Sequence, residues 1–121
     1  MVIRQDGDPT YLSPITGYPN VGIRMAHLQM PSGIRLELFQ YTNPVGAPHD
    51  PETYHPLSTH ICFNVTDLQG LYERLTAAGV EFRSEPIEVT AGANRGGLCC
   101  YMRDPDGYTI ELYQLPTRSP S

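Results

Sequence analysis

Residues 31–41 read PSGIRLELFQY, and residues 105–115 read PDGYTIELYQL. The two segments align without a gap at a constant offset of 74. Pro31 and Pro105 correspond, as do Gly33 and Gly107, Glu37 and Glu111, Leu38 and Leu112, and Gln40 and Gln114. Leu36 answers Ile110, and Phe39 answers Tyr113. An ungapped match of this kind predicts two copies of one structural unit. In each copy Pro and Gly punctuate a turn, and a strand follows in which apolar and polar residues alternate. Side chains leave a strand on alternate faces. Glu37 is therefore expected on the face opposite Leu36 and Leu38, and Glu111 opposite Ile110 and Leu112. If a rough two-fold relates the copies, both carboxylates face one shared cavity. A lone strand glutamate is ordinarily a solvated one; the duplication is what makes this pair a candidate site.

The chain around these copies has 121 residues, the size of one domain with a core of its own. A net charge of -5 with no basic run argues against a nucleic-acid partner. No apolar stretch approaches the roughly 20 residues of a membrane span, so no membrane partner is expected. The opening Met1-Val2-Ile3-Arg4-Gln5 does not read as a secretory signal. Cys62, Cys99 and Cys100 do not suggest a disulfide framework, because adjacent strand residues point to opposite faces. A reducing cytoplasm is the compartment that fits.

Residues 2–5 read as a short strand, and residues 6–20, rich in Gly, Pro, Asp and Thr, as a loop. Residues 21–30 form a strand, Pro31-Ser32-Gly33 turn the chain, and residues 34–41 return as its antiparallel partner. Residues 42–57 hold five prolines or glycines and read as a connector. His49 and His55 lie in it, where histidines are ordinarily solvated. In residues 58–65, Ile61, Phe63 and Val65 take one strand face, and Ser58, His60, Cys62 and Asn64 the other. Thr66 or Asp67 caps a helix over 67–78, whose Leu68, Leu71, Tyr72 and Leu75 form an apolar stripe. Gly79 ends it. Packed on Ile61, Phe63 and Val65, that helix leaves the His60 face open. Strands at 80–84 and 97–103, a turn at Asp104-Pro105-Asp106-Gly107 and the second repeated strand at 108–115 complete a β-α-β-β-β order.

Shifted by 74, His60 maps to position −14 and the helix to −7 through 4. The first half therefore reads as an incomplete copy, without its opening strand and nearly all of its helix. Ile34, Leu36 and Leu38 then form an apolar face that no helix of this chain covers. Burying such side chains stabilises by roughly 1.5–3 kcal/mol each. Cover is expected either from a second chain, as in a homodimer, or from a gene product that begins further upstream.

The strand with His60, the helix after it, the turn at 104–107 and the strand with Glu111 resemble the vicinal oxygen chelate superfamily. That superfamily includes glyoxalase I, methylmalonyl-CoA epimerase, extradiol dioxygenases, and fosfomycin- and bleomycin-resistance proteins. The resemblance covers about residues 20–116; YMRDPDGYTIELYQ is its most specific stretch, and LELFQY supports it. It implies an α+β fold of paired βαβββ modules forming a curved mixed sheet, with the first module N-terminally incomplete. The expected organisation is a single glyoxalase-like domain over 1–121: an incomplete first module at 1–41, a linker at 42–57, a second module at 58–116 and a frayed tail at 117–121. Carried over by position, the resemblance implies Glu37, His60 and Glu111 as ligands of a divalent metal ion: Zn, Ni, Co, Mn or Fe. The fourth ligand, a His or Gln, would sit on the strand this chain lacks. His27, on the strand that hairpins with that of Glu37, is a candidate substitute; its ordinary role is that of a hydrogen-bonded sheet histidine.

Such an ion polarises two oxygens on adjacent substrate atoms and stabilises the enediolate formed when a proton leaves the neighbouring carbon. A carboxylate that lets go of the metal can serve as the base; Glu111 is the first candidate and Glu37 the second. The implied function is a metal-dependent glyoxalase-like lyase or isomerase acting on a small vicinal-oxygen substrate. A ferrous extradiol dioxygenase is one alternative, but by resemblance it uses two His and one Glu, with no carboxylate at the position of Glu37. Fosfomycin-type transferases use the same set. The non-enzymatic alternative is a metal-free drug-binding protein of the bleomycin-resistance type, with a groove between two chains that Phe39, Tyr41, Tyr101 and Tyr113 could line. Arg95, in the loop Asn94-Arg95-Gly96-Gly97, is a candidate for holding a substrate carboxylate or phosphate. Arg35 shares a face with Glu37 and can pair with it.

Overall fold

The computed structural model describes residues 1–117, so all but the first residue of the expected tail lies outside the described residues. The chain divides into two compact units, Met1–Pro48 and His49–Ser121.

The first unit contains β1 (Val2–Asp6), α1 (Pro9–Thr16), β2 (Gly22–Gln29) and β3 (Arg35–Asn43). Its strands form an antiparallel sheet in the order β1-β2-β3. The register places Met25 opposite Phe39, His27 opposite Glu37 and Gln29 opposite Arg35. Helix α1 corrects the loop expected over 6–20. The Asp8 carboxylate accepts from the Thr10 N–H at 2.9 Å. Pro9 occupies the first turn, where its missing N–H costs nothing, and Gly17 closes the helix at φ 83°. Tertiary packing then holds this short helix: Leu12 is buried with Val21, Ile23 and Met25, and Tyr41 packs against them. Since α1 sits on the Ile23 and Met25 face, the opposite face stays open. Ile34 is 67% exposed and Leu38 52%.

The second unit contains β4 (Ile61–Asn64), α2 (Leu68–Ala77), β5 (Glu81–Phe82), β6 (Ile87–Glu88), β7 (Leu98–Arg103) and β8 (Thr109–Gln114). Its sheet runs β4-β8-β7-β5, and β6 pairs with β7. Strands β4 and β8 are parallel; the other pairings are antiparallel. The α+β class is as expected, with the strands distributed over two sheets. Two expectations are corrected. The strand expected over 58–65 is shorter, so His60 stands just before its first residue, and β6 adds a short strand to the expected order. The Asp67 carboxylate accepts from the Gly70 N–H at 3.1 Å, and the Gln114 side chain accepts from the Leu68 N–H at 2.7 Å. Two of the free N–H groups at the start of α2 are thereby satisfied. Leu68 is fully buried, in a core with Cys100 and Leu112 that Phe63, Val65, Leu71 and Leu75 complete. The helix thus covers the Phe63 and Val65 face. No helix among the described residues is long and apolar enough to cross a membrane.

Candidate functional site

The parallel pairing of β4 with β8 sets Cys62 opposite Glu111. On its other side β8 meets β7, with Tyr101 opposite Glu111 and Cys99 opposite Tyr113. Alternation along three strands therefore gathers His60, Cys62, Glu111, Cys99 and Tyr101 on the face away from α2. His60 Nε2 lies 3.0 Å from Glu111 Oε1. An ionised carboxylate only accepts, so the Nε2 proton donates to Glu111. The Cys99 thiol donates to Glu111 Oε2 at 3.5 Å. The His60 ring rests on Tyr101, with centroids 5.2 Å apart. The side chain of His60 is 35% exposed and that of Glu111 15%, so the carboxylate is sunk below an imidazole at the rim.

The electrostatics follow from burial and from the charge on Glu111. The Cys99 thiol is pushed up to about 12, first by burial and then by Glu111. The Cys62 thiol is pushed up to about 11 by the same causes, although the residue as a whole is exposed. Burial, then Glu111, also pushes up the Tyr101 phenol. At neutral pH these groups keep their protons and add no charge to the site.

In the first unit His27 Nδ1 lies 3.3 Å from Glu37 Oε1. The approach is close, but both ring nitrogens of His27 are buried without an aligned hydrogen-bond partner. Arg35 shares the face of Glu37, as expected, and stands across from Gln29. Phe39 is 42% exposed on the same face. A depression of about 210 Å³ opens beside His27 and Arg35. Each glutamate of the repeat thus meets a histidine inside its own unit.

Tyr113 is buried, and its hydroxyl donates to the Asn94 carbonyl at 3.1 Å. Arg95 lies in the exposed turn that the Arg95 N–H closes on the Gly92 carbonyl at 3.2 Å. His49 is exposed, and His55 pairs with Asp50 at 2.9 Å. Sequence reasoning missed Cys99 as a site residue, and with it a cluster of Glu52, Arg83 and Arg103. Alternation with Tyr101 could have placed Arg103 on the face of Glu111; nothing in the connector marked Glu52.

One imidazole nitrogen and one carboxylate oxygen on an open face suit a divalent ion by donor type. They fit part of a coordination shell. Among the described residues no group of three or more His, Cys, Asp or Glu is placed to hold an ion.

Residues 18–112 match the model of the Glyoxalase/Bleomycin resistance protein/Dioxygenase superfamily. The chain is similar to a 2-epi-5-epi-valiolone epimerase from an Actinomyces species, 31% identical over 98 residues, which cover 80% of this chain and 54% of the epimerase. It is similar to a lactoylglutathione lyase of Arabidopsis thaliana, 37% identical over 62 residues, 50% of this chain and 21% of the lyase. The chain therefore spans about half the length, or less, of these curated relatives. A solved glyoxalase family protein from Bacillus cereus superposes with a TM-score of 0.74 at 24% identity, over 95% of this chain and 76% of that one. This last likeness concerns the fold.

Proposed function

The chain belongs to the Glyoxalase/Bleomycin resistance protein/Dioxygenase superfamily, and on that footing we propose that it is a lyase or isomerase removing a proton from a carbon beside vicinal oxygens in a small substrate. The observation that carries the proposal is the 3.0 Å contact between His60 and Glu111 on the open face of the sheet. Glu111 is the proposed base. Its oxygens are oriented by His60 on one side and Cys99 on the other, and an oriented carboxylate at the floor of an open face can reach a substrate C–H. Tyr101 walls the site beside His60. The similarity to an epimerase and to a lactoylglutathione lyase supports isomerising or lyase chemistry over oxidation.

A divalent metal ion (Zn, Ni, Co, Mn or Fe) is part of the proposal, with His60, once its Nε2 gives up the proton shared with Glu111, and Glu111 as residues that would hold it. When bound, it supplies a Lewis acid that draws charge from two adjacent substrate oxygens. Glu37 enters as a further carboxylate, ligand or second-choice base, and His27, Phe39, Arg95 and Tyr113 as substrate contacts. The protein acts as a homodimer, supported by the open Ile34 and Leu38 face, and in a reducing cytoplasm, supported by three free thiols.

The test is metal analysis of the purified protein together with isomerase turnover of Glu111→Gln and Glu37→Gln. Loss of turnover with metal retained identifies the base, and loss of both identifies a ligand. Unchanged turnover in both variants removes the two carboxylates from the mechanism. A metal-free drug-binding protein is the second reading, supported by the superfamily's inclusion of bleomycin resistance proteins and by Tyr101 beside His60 on the open face. A protein that carries no metal, turns nothing over and binds bleomycin would establish that reading instead.

A further inference from the structure

Two arginines converge on one carboxylate at the end of the face that holds Glu111. Arg103 is the last residue of β7, two positions beyond Tyr101 and so on the same face. Arg83 follows β5, and its N–H donates to the Tyr101 carbonyl at 2.9 Å. Glu52 reaches both from the connector. Its Oε1 accepts from Arg103 Nη2 at 3.0 Å, and its Oε2 accepts from Arg83 Nη2. A depression of about 190 Å³ opens beside them, lined by Glu81, Phe82, Arg83 and Arg103. The Arg103 side chain is 19% exposed, and its Nε is buried without a hydrogen-bond partner.

These facts describe an anion site with a stand-in. A guanidinium offers five N–H donors in a planar fork suited to carboxylate or phosphate. Glu52 engages Arg103 through Nη2 and leaves the buried Nε donor without a partner. Glu52 belongs to no helix or strand; it sits on a turn closed by Asp50 Oδ1 accepting from the Glu52 N–H at 3.1 Å. Arg83 is 50% exposed, so its pairing with Glu52 is solvated and weak. If Glu52 swings out, the two guanidinium groups lose the one carboxylate that bonds them both, and Glu81 on the wall of the hollow and Asp50 near Arg103 are the acidic groups left beside them. One carboxylate can replace another there without stranding either arginine.

We propose that Arg83 and Arg103 form an oxyanion subsite for substrate, which Glu52 occupies until a carboxylate or phosphate displaces it. The inference rests on the reaction proposed above and adds the class of substrate: a small molecule with an anionic group beside its vicinal oxygens. Strand geometry sets Arg103 about 7 Å along β7 from the residue opposite Glu111. An anion on Arg103 and a reacting carbon at Glu111 are then two ends of one small molecule.

The probes are inorganic phosphate and acetate, titrated at low salt into the full chain and followed by NMR. Glu52→Gln is expected to bind one of them at least about tenfold more tightly than the wild type, and adding Arg103→Gln to remove that binding. The preferred probe identifies phosphate or carboxylate as the natural group. Equal affinity in wild type and Glu52→Gln, or no binding by Glu52→Gln, overturns the inference and leaves the cluster as a staple for the connector. Binding that survives Arg103→Gln overturns it as well. Thermal melts establish that each variant is folded; should Arg103→Gln not fold, Arg83→Gln takes its place, with the same loss expected. Glu111→Gln separates the two proposals, because it removes the proposed base and leaves phosphate or acetate binding intact.

Discussion

Glu111 carries a hydrogen bond on each oxygen, one from an imidazole and one from a thiol. Alternation in the sequence was enough to put Glu111 and His60 on one face, because that requires only strand period. Cys99 was not legible, because its approach to Glu111 depends on the β7–β8 register, and register is a long-range property. Cys100, one residue on, points the other way into the core under α2. Burial pushes its thiol above the ordinary 9.0. The folded state therefore favours the neutral thiol, and this stabilisation is complete below pH 9 and lost as pH rises above it. The melting temperature should fall above pH 9, and Cys100→Ala should flatten that fall. An unchanged slope in thermal melts of the variant would place the alkaline sensitivity elsewhere.

At the scale of elements, α2 was legible and α1 was not. Leu68, Leu71 and Leu75 repeat at helical spacing between an Asp cap and a Gly stop, so pattern and caps agree. In α1 the prolines read as loop signals, and the Asp8 and Gly17 caps together with the packing of Leu12 on Val21, Ile23 and Met25 hold the segment helical. Gln114, the counterpart of Gln40 in the repeat, caps the start of α2. Leu68→Ala should cost about 2–5 kcal/mol in urea unfolding, since the residue is fully buried. Gln114→Ala should cost about 1 kcal/mol, the usual worth of a cap. Gly97 lies flat on the Tyr113 ring, where an added Cβ would collide with it. Gly97→Ala should therefore destabilise by about 1–3 kcal/mol, read in the same assay. Equal stability in that variant would mean that Tyr113 is free to move.

At the scale of the molecule, the Ile34 and Leu38 face of the first unit is open. The β2–β3 hairpin was legible, but the order of strands in the second sheet was out of reach, because a parallel pairing such as β4 with β8 joins residues about fifty positions apart. The reach of Glu52 to Arg103 was hidden for the same reason. Sedimentation should give a dimer, and Leu38→Lys should shift it to a monomer without loss of helical signal. A monomeric wild type would contradict the homodimer.

Proton transfer at Glu111 is the claim on which the proposed function stands. Its most direct test is exchange of carbon-bound hydrogen in D2O, followed by NMR over a series of small 2-hydroxy ketones with divalent metal supplied. The wild-type chain should exchange the hydrogen beside the carbonyl of at least one member, and Glu111→Gln should slow that exchange by about 100-fold or more. Equal rates in the two proteins, or no exchange by the wild type anywhere in the series, would contradict it.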